Sequence, residues 1–147
     1  ASEGEIDVNI GRHPRFRKKM NAFPEGEEGK RAVTYYKVLE DMHYVSLLQC
    51  NLETGRTHQI RVHMQHINHP LFNDSTYGGD RIRKGTVFGK YSQFVNNCFK
   101  LLPRQALHAQ SLGFIHPATG EKMQFSSELP VDFQAALDKW RKYVSRK

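Results

Sequence analysis

The segment Thr57–Ile67 constrains the fold most, because its apolar residues repeat with the period of an α-helix. Thr57 suits the N-cap position, since its hydroxyl can accept a hydrogen bond from a backbone N–H of the first turn. Asn68 tolerates the left-handed conformation found just past helix ends, and Pro70 cannot continue a helix. The sequence therefore predicts a helix over 57–67, with one apolar face formed by Ile60, Met64 and Ile67.

Two runs rich in β-branched and aromatic residues, Ala32–Glu40 and Tyr44–Leu52, precede this helix. Three residues separate the runs, a spacing typical of an antiparallel hairpin. Residues 1–31 contain repeated glycines and prolines, which predicts loops with at most short strands.

In the second half of the chain, the predicted helices and strands follow one another in a less regular order. We expect a glycine- and lysine-rich loop over 78–90, a helix over 91–102 that ends at Pro103, strands over Leu107–Ile115 and Lys122–Ser126, and a terminal helix over Val131–Val144. Strands and helices mix without a βαβ pattern. The fold class expected is α+β, one domain over residues 1–147, with an antiparallel or mixed sheet and a few flanking helices.

No apolar run approaches the roughly 20 residues needed to span a bilayer, and no secretory leader precedes the first strand. The two cysteines, Cys50 and Cys98, are too few for a secreted disulfide framework. We therefore expect a cytoplasmic protein with free thiols and no membrane association.

The chain is basic, with 22 Lys and Arg against 15 Asp and Glu and a formal net charge of +7. Such an excess attracts polyanions, of which nucleic acid is the commonest in the cytoplasm. A single basic run is most often a solvated loop. Three runs favour a phosphate-contacting surface: Arg12, Arg15, Arg17, Lys18 and Lys19; Lys30 and Arg31; and Arg81, Arg83 and Lys84.

Four histidines, His58, His63, His66 and His69, lie close together in sequence. On a helix, His58 and His63 are about 140° apart, and His69 lies beyond the helix end, so no face gathers three ligands. We predict no metal site and expect His63 to be a hydrogen-bonded core residue. The sequence also lacks a nucleophile elbow and glycine-rich nucleotide motifs.

Two arginines, Arg56 and Arg61, flank the start of the predicted helix. Arg61 lies about 100° from Ile60, on the border of the apolar face, where a side chain can be half-buried. A guanidinium in that position needs a carboxylate or a phosphate as its partner. A structural salt bridge to an acidic residue of the same chain is the alternative to a functional role.

Several motifs together resemble the RluA-type RNA pseudouridine synthases. They cover nearly the whole chain: I-G-R-H-P-x-x-R-K-K-M (10–20), A-V-T-Y-Y-K-V-L-E (32–40), L-E-T-G-R-T-H-Q-I-R-V-H (52–63), N-H-P (68–70), N-D-S-T-Y-G-G (73–79), A-L-H-A (106–109) and F-I-H-P-A-T-G-E (114–121). Asn68 and Asn73 stand where the family usually has glycine. Asparagine is the next-best residue for a positive φ, so we expect the same backbone.

The resemblance also implies what this sequence does not contain. The family's catalytic aspartate, in H-R-L-D-x-x-T-S-G, and the tyrosine that stacks on the target uracil both lie upstream of the matching segments. No aspartate of this chain follows an R-L pair. The resemblance therefore predicts the carboxyl-terminal part of a catalytic domain, inactive by itself.

The activity that the resemblance implies is cofactor-free isomerisation of uridine to pseudouridine in structured ribosomal or transfer RNA, after base flipping. Arg61 matches the motif arginine that pairs with the catalytic aspartate, so we expect it to be unpaired in this chain. Arg56 anchors either a phosphate or the loop. The expected RNA contacts are Arg12, Arg15, Arg17, Lys18, Lys19, Arg56, Arg83 and Lys84.

Two other functions fit the same basic surface. A non-catalytic RNA-binding module would also lack the aspartate, and a general anion-binding or protein-interaction domain would show no preference for structured RNA. We expect a monomer in each case.

Overall fold

The structure is a computed structural model. It describes residues 2–16, 18–24, 26, 28–82, 88–108, 111–115, 122–126 and 129–145, with 111–115 and 122–126 described for the backbone alone.

The described strands form three antiparallel sheets. In chain order they are β1 (Glu3–Asp7), β2 (Asn9–Arg12), β3 (Met20–Phe23), β4 (Val33–Asp41), β5 (Ser46–Leu52), β6 (Ser111–Ile115) and β7 (Lys122–Ser126). The largest sheet has the order β1-β4-β5, and β2-β3 and β6-β7 are separate hairpins. The helices are α1 (Gln59–His66), α2 (Gly89–Leu101) and α3 (Val131–Ser145). The α+β prediction is confirmed, with antiparallel sheets.

The central hairpin agrees with the sequence prediction. Strands β4 and β5 pair with Tyr36 opposite Cys50 and Val38 opposite Leu48, and a β-bulge follows at Leu39. The two later helices and the β6-β7 hairpin are also confirmed, although β6 begins at Ser111 rather than Leu107. The middle of the predicted 78–90 loop and the connection over 117–120 lie outside the described residues.

Helix α1 begins differently from the prediction. Thr57 is not the N-cap; His58 is, with a left-handed φ of 55° and no side-chain capping bond. The residues buried on α1 are Gln59, Val62, His63 and Met64, whereas Ile60 and Ile67 are only half-buried. Apolar periodicity misplaced this face because two polar side chains, each fully hydrogen-bonded, are buried in place of the isoleucines.

The end of α1 is as predicted. Asn68 has a φ of 68°, and its N–H donates to the Gln65 carbonyl, while the N–H of His69 donates to the Met64 carbonyl. This pair of bonds is a Schellman motif, which satisfies the last carbonyls of the helix.

Two groups of buried residues form the interior. One joins α2 and α3 to the β4-β5 turn: Met42, Tyr91, Val95, Cys98, Leu137 and Trp140. The other lies between α1 and the β2-β3 hairpin: Ile10, Ala32, Val62 and Tyr77. No helix within the described residues combines the length and apolar character needed to cross a membrane.

The loop 71–79 follows α1 and returns the chain toward it. Asn73 has a φ of 61°, as the resemblance predicts, and its amide donates to the carbonyls of Phe99 and Leu102 near the end of α2. Backbone bonds close the loop: the Asn73 N–H donates to the Gly79 carbonyl, and the Gly79 N–H to the Asp74 carbonyl, each at 2.7 Å. A Cβ on Gly79 would overlap the Leu71 carbonyl oxygen. The loop is therefore possible only with glycine at this position.

We predict that Gly79→Ala lowers the free energy of unfolding by at least about 2 kcal/mol, because the backbone of the loop must move away from the new methyl group. Gly55→Ala is the matched control, since a Cβ there meets no atom within 4 Å and φ is not positive. Urea unfolding should show a change within about 0.5 kcal/mol for this control. Equal effects of the two changes would contradict the close approach at Gly79.

Candidate active site

The turn before α1 is organised by the side chain of Gln59. Its Oε1 accepts hydrogen bonds from the Thr54 hydroxyl at 2.8 Å and the Arg56 N–H at 2.9 Å. Its Nε2 donates to the Val33 carbonyl at 2.9 Å and the Thr34 hydroxyl at 3.0 Å. Every polar atom of this buried amide is thus satisfied, and the G-R-T-H-Q turn is fixed to β4.

The same network continues through His63, which is fully buried. Its Nε2 lies 2.8 Å from the Val8 carbonyl oxygen, which can only accept, so Nε2 carries the proton. Nδ1 then accepts from the Thr34 hydroxyl at 2.7 Å. Burial lowers the pKa of His63 below its ordinary value, consistent with a neutral ring. The prediction of a hydrogen-bonded core histidine is confirmed.

Arg61 is paired within this chain, contrary to our expectation. Its Nε donates to Oδ2 of Asp74 and its Nη2 to Oδ1, both at 2.9 Å. The Asp74 side chain is 0% exposed and that of Arg61 13% exposed. The expectation failed because it considered only carboxylates in an R-L-D context, whereas the loop 71–79 brings Asp74 to Arg61. The structural salt bridge that the sequence left open is the one observed.

The ring of Tyr77 forms one wall of the pair. The Cζ atom of Arg61 lies 5.0 Å from the ring centroid, within the range of a cation–π interaction. The ring is 1% exposed. The hydrogen bonds to Asp74 and its charge raise the pKa of Arg61 further, so this guanidinium remains charged at every pH at which the protein folds.

The hydroxyl of Tyr77 joins the pair to the helix start. It accepts the Met20 N–H at 2.9 Å and lies 2.7 Å from Nδ1 of His58. The hydroxyl can donate to this nitrogen or accept from it, depending on the tautomer of His58. Burial and the neighbouring Arg61 lower the pKa of His58, which favours the neutral ring.

The first basic run forms the loop between β2 and β3. Nδ1 of His13 accepts the N–H groups of Arg15 and Phe16, each at 3.1 Å, so the loop has a defined turn. At its end, Nζ of Lys19 lies 5.5 Å from the Tyr77 ring centroid. The structure thus brings the basic loop, through Lys19, to the Tyr77 ring that also contacts Arg61.

The other residues predicted to contact RNA differ in where the structure places them. Nε of Arg56 donates to the Arg31 carbonyl at 2.8 Å, so Arg56 anchors the turn to the start of β4. Arg12 is exposed at the end of β2, and Arg15 and Lys18 are exposed on the β2-β3 loop. Arg17, Arg83 and Lys84 lie outside the described residues.

The sequence reasoning did not single out Asp74 or Tyr77 as site residues, although both stand in N-D-S-T-Y-G-G. Asp74 could have been found from the rule that a half-buried arginine requires an acidic partner. Among the described residues, no group of three His, Cys, Asp or Glu side chains could hold a metal ion.

We predict that Arg61→Met lowers the free energy of unfolding by about 3–5 kcal/mol, because Asp74 is left as a buried, unpaired charge. Replacing both partners, as Arg61→Met with Asp74→Leu, should recover most of the loss. The control is Arg104→Met, whose pair with Asp132 is 39% and 36% exposed and should contribute at most about 1 kcal/mol. Urea unfolding measures all three, and a near-neutral Arg61→Met would show that the pair does not persist in solution.

Comparison with known proteins identifies relatives along the whole chain. Residues 2–66 match the family described as RNA pseudouridylate synthase. An "Uncharacterized RNA pseudouridine synthase" of Chlorobaculum parvum is 51% identical over 142 residues, which are 96% of this chain and 43% of that protein. "Ribosomal large subunit pseudouridine synthase D" of Pseudomonas aeruginosa is 48% identical over 132 residues, 90% of this chain and 39% of that protein.

Solved structures agree on the fold. Human RNA Pseudouridylate Synthase Domain Containing 1 superposes with a TM-score of 0.65 at 25% identity, covering 100% of this chain and 61% of that one. Human RNA Pseudouridylate Synthase Domain Containing 4 superposes with a TM-score of 0.59 at 23% identity, covering 95% of this chain and 57% of that one. Over nearly its whole length this chain is therefore similar to the RNA pseudouridylate synthases, as its resemblance to the RluA-type members predicted, and it spans about two fifths of the length of its curated relatives.

Proposed function

We propose that this chain is the carboxyl-terminal part of the catalytic domain of an RNA pseudouridine synthase, which isomerises uridine to pseudouridine in structured RNA without a cofactor. The observation that carries the proposal is Arg61, fixed between Asp74 and the Tyr77 ring at the start of α1. This arginine stands in the motif position that pairs with the catalytic aspartate. We place that aspartate upstream of the segment described.

The substrate proposed is ribosomal RNA or transfer RNA. The name of the Pseudomonas aeruginosa relative refers to the large ribosomal subunit, which favours ribosomal RNA. We further propose a monomer that acts in the cytoplasm. The target nucleotide must leave its stack to reach Arg61, since the reacting bond of a paired nucleotide is inaccessible within a duplex.

The β2-β3 loop is the proposed RNA-contacting surface. Exposed Arg12, Arg15 and Lys18 precede Lys19, which lies against the Tyr77 ring. A phosphate backbone following the loop would therefore reach the ring that contacts Arg61. Phosphate contacts position an RNA without reading its sequence. Arg17, Arg83 and Lys84 are proposed as further contacts from sequence alone, and Arg56 as a residue that anchors the turn to the Arg31 carbonyl and also contacts RNA.

We predict that this chain alone forms no pseudouridine, because the nucleophilic carboxylate and the stacking tyrosine are absent from it. A fusion that joins the part of the Chlorobaculum parvum relative preceding the shared 142 residues to this chain should restore the reaction. Large-subunit ribosomal RNA transcripts, followed by chemical mapping of pseudouridine, provide the assay.

The control is the same fusion with Arg61→Lys, which keeps the charge but loses the planar two-bond fork, and we expect it to be inactive. Arg104→Lys, in an exposed pair, should leave activity unchanged. Turnover by the isolated chain would contradict the proposed division of the site. RNA binding by a fusion that never forms pseudouridine would instead support the non-catalytic RNA-binding module.

We predict that affinity for structured RNA falls with salt, because each phosphate contact releases a counterion. Changing Arg15, Lys18 and Lys19 together to Gln should reduce the log–log salt slope by roughly two to three, if each makes one contact. The matched control changes Lys37, Lys90 and Lys100, exposed on β4 and α2, to Gln and should leave the slope unchanged. Fluorescence anisotropy at several salt concentrations measures both, and equal slopes would mean that the loop is only solvated.

A further inference from the structure

Arg61 presents two different edges to its surroundings. The edge formed by Nε and Nη2 is occupied by both oxygens of Asp74. A guanidinium has five N–H groups, and the remaining three, two of them on Nη1, point away from that edge. Among the described residues, Nη1 has no hydrogen-bond partner. The Nε and Nη2 edge of this arginine therefore binds Asp74, and the Nη1 edge can bind a second acceptor.

Asp74 itself cannot be the reacting carboxylate. Its side chain is 0% exposed and both of its oxygens are used by Arg61. Its backbone is fixed as well, because its N–H donates to the Leu71 carbonyl and its carbonyl accepts the Gly79 N–H. A buried carboxylate held on a rigid loop can only orient its partner.

We propose that Asp74 is a positioning residue, which determines the edge of Arg61 that is offered to the reacting carboxylate, with Tyr77 determining the plane of the guanidinium. This role concerns the same site as the proposed function and rests on that function. A bidentate pair fixes the guanidinium within its plane, and the ring 5.0 Å away restricts its tilt. The free Nη1 edge then has one direction in which to bind a second carboxylate.

Asp74 also changes the charge that a second carboxylate meets. An unpaired arginine would attract it with a full positive charge, whereas the Arg61–Asp74 pair is neutral as a unit. Among the described residues, the other cation on the Tyr77 ring is Lys19, 5.5 Å from the centroid. The reacting group is thus held mainly by directed hydrogen bonds from Nη1, which specify its geometry more strictly than charge does.

The positioning itself is tested in the full 147-residue chain by nitrogen-15 NMR of the arginine side chains, which needs no activity. A carboxylate bound to Nε and Nη2 slows rotation of the guanidinium, so Arg61 should give separate signals for its two Nη groups. Asp74→Asn should average these signals, because the amide places N–H groups against the guanidinium. Asp132→Asn, at the exposed pair with Arg104, is the control and should leave the Arg61 signals unchanged. Averaged Arg61 signals in the unmodified chain would overturn the proposal.

Activity is tested in the fusion with Asp74→Asn and Asp74→Glu. The glutamate keeps the ion pair and the fold but displaces Arg61 by the length of one methylene group. We expect kcat to fall about 100-fold in either variant with KM within about twofold, since a displacement of about 1 Å can cost that much. A merely structural role would reduce the folded fraction, seen by circular dichroism, and would leave kcat per folded molecule unchanged.

The two failures are distinguishable. An unmodified fusion without activity contradicts the proposed function, and the NMR result then decides the role of Asp74 alone. An active fusion in which a folded Asp74→Glu variant retains full kcat overturns the positioning role and leaves the proposed function in place.

Discussion

The ion pair between Arg61 and Asp74 is the interaction on which the candidate site depends. It joins α1 to the loop 71–79, with Asp74 fully buried and Arg61 13% exposed, and removing either partner alone would have a large cost in stability. The pair fixes the position of the loop relative to the helix. That position places Tyr77 over the guanidinium, and through Tyr77 it reaches His58 and the start of β3.

A second set of polar contacts holds α1 on the sheet. Hydrogen bonds run from the Gln59 amide to the Thr34 hydroxyl, from that hydroxyl to His63 and from His63 to the Val8 carbonyl. Apolar packing alone would leave the helix free to rotate about its axis or slide, because it is not directional. Directed bonds from two successive turns of α1 specify a single orientation, and that orientation carries Arg61 to Asp74.

The basic β2-β3 loop is connected to the ion pair by contacts of its own. The Met20 N–H donates to the Tyr77 hydroxyl, and Lys19 lies over the same ring. The end of this loop therefore contacts the same ring that contacts Arg61. The helices α2 and α3 form a separate core around Trp140. They contact the loop 71–79 through Asn73, which donates to the carbonyls of Phe99 and Leu102, and through Phe72, whose ring packs against Phe99 and Trp140.

The central hairpin, the helices and the turn after α1 can be predicted from the sequence, because alternation, helical periodicity and the preference of Asn68 for positive φ are local properties. The sequence also located Arg61 and the family motifs. The partner of Arg61 could not be predicted in this way, since the choice among the aspartates depends on which loop folds back onto α1. The buried face of α1 could not be predicted either, because Gln59 and His63 are tolerated inside only where Val33, Thr34 and Val8 supply their hydrogen bonds. A sequence records which groups need partners, and the fold determines which groups meet.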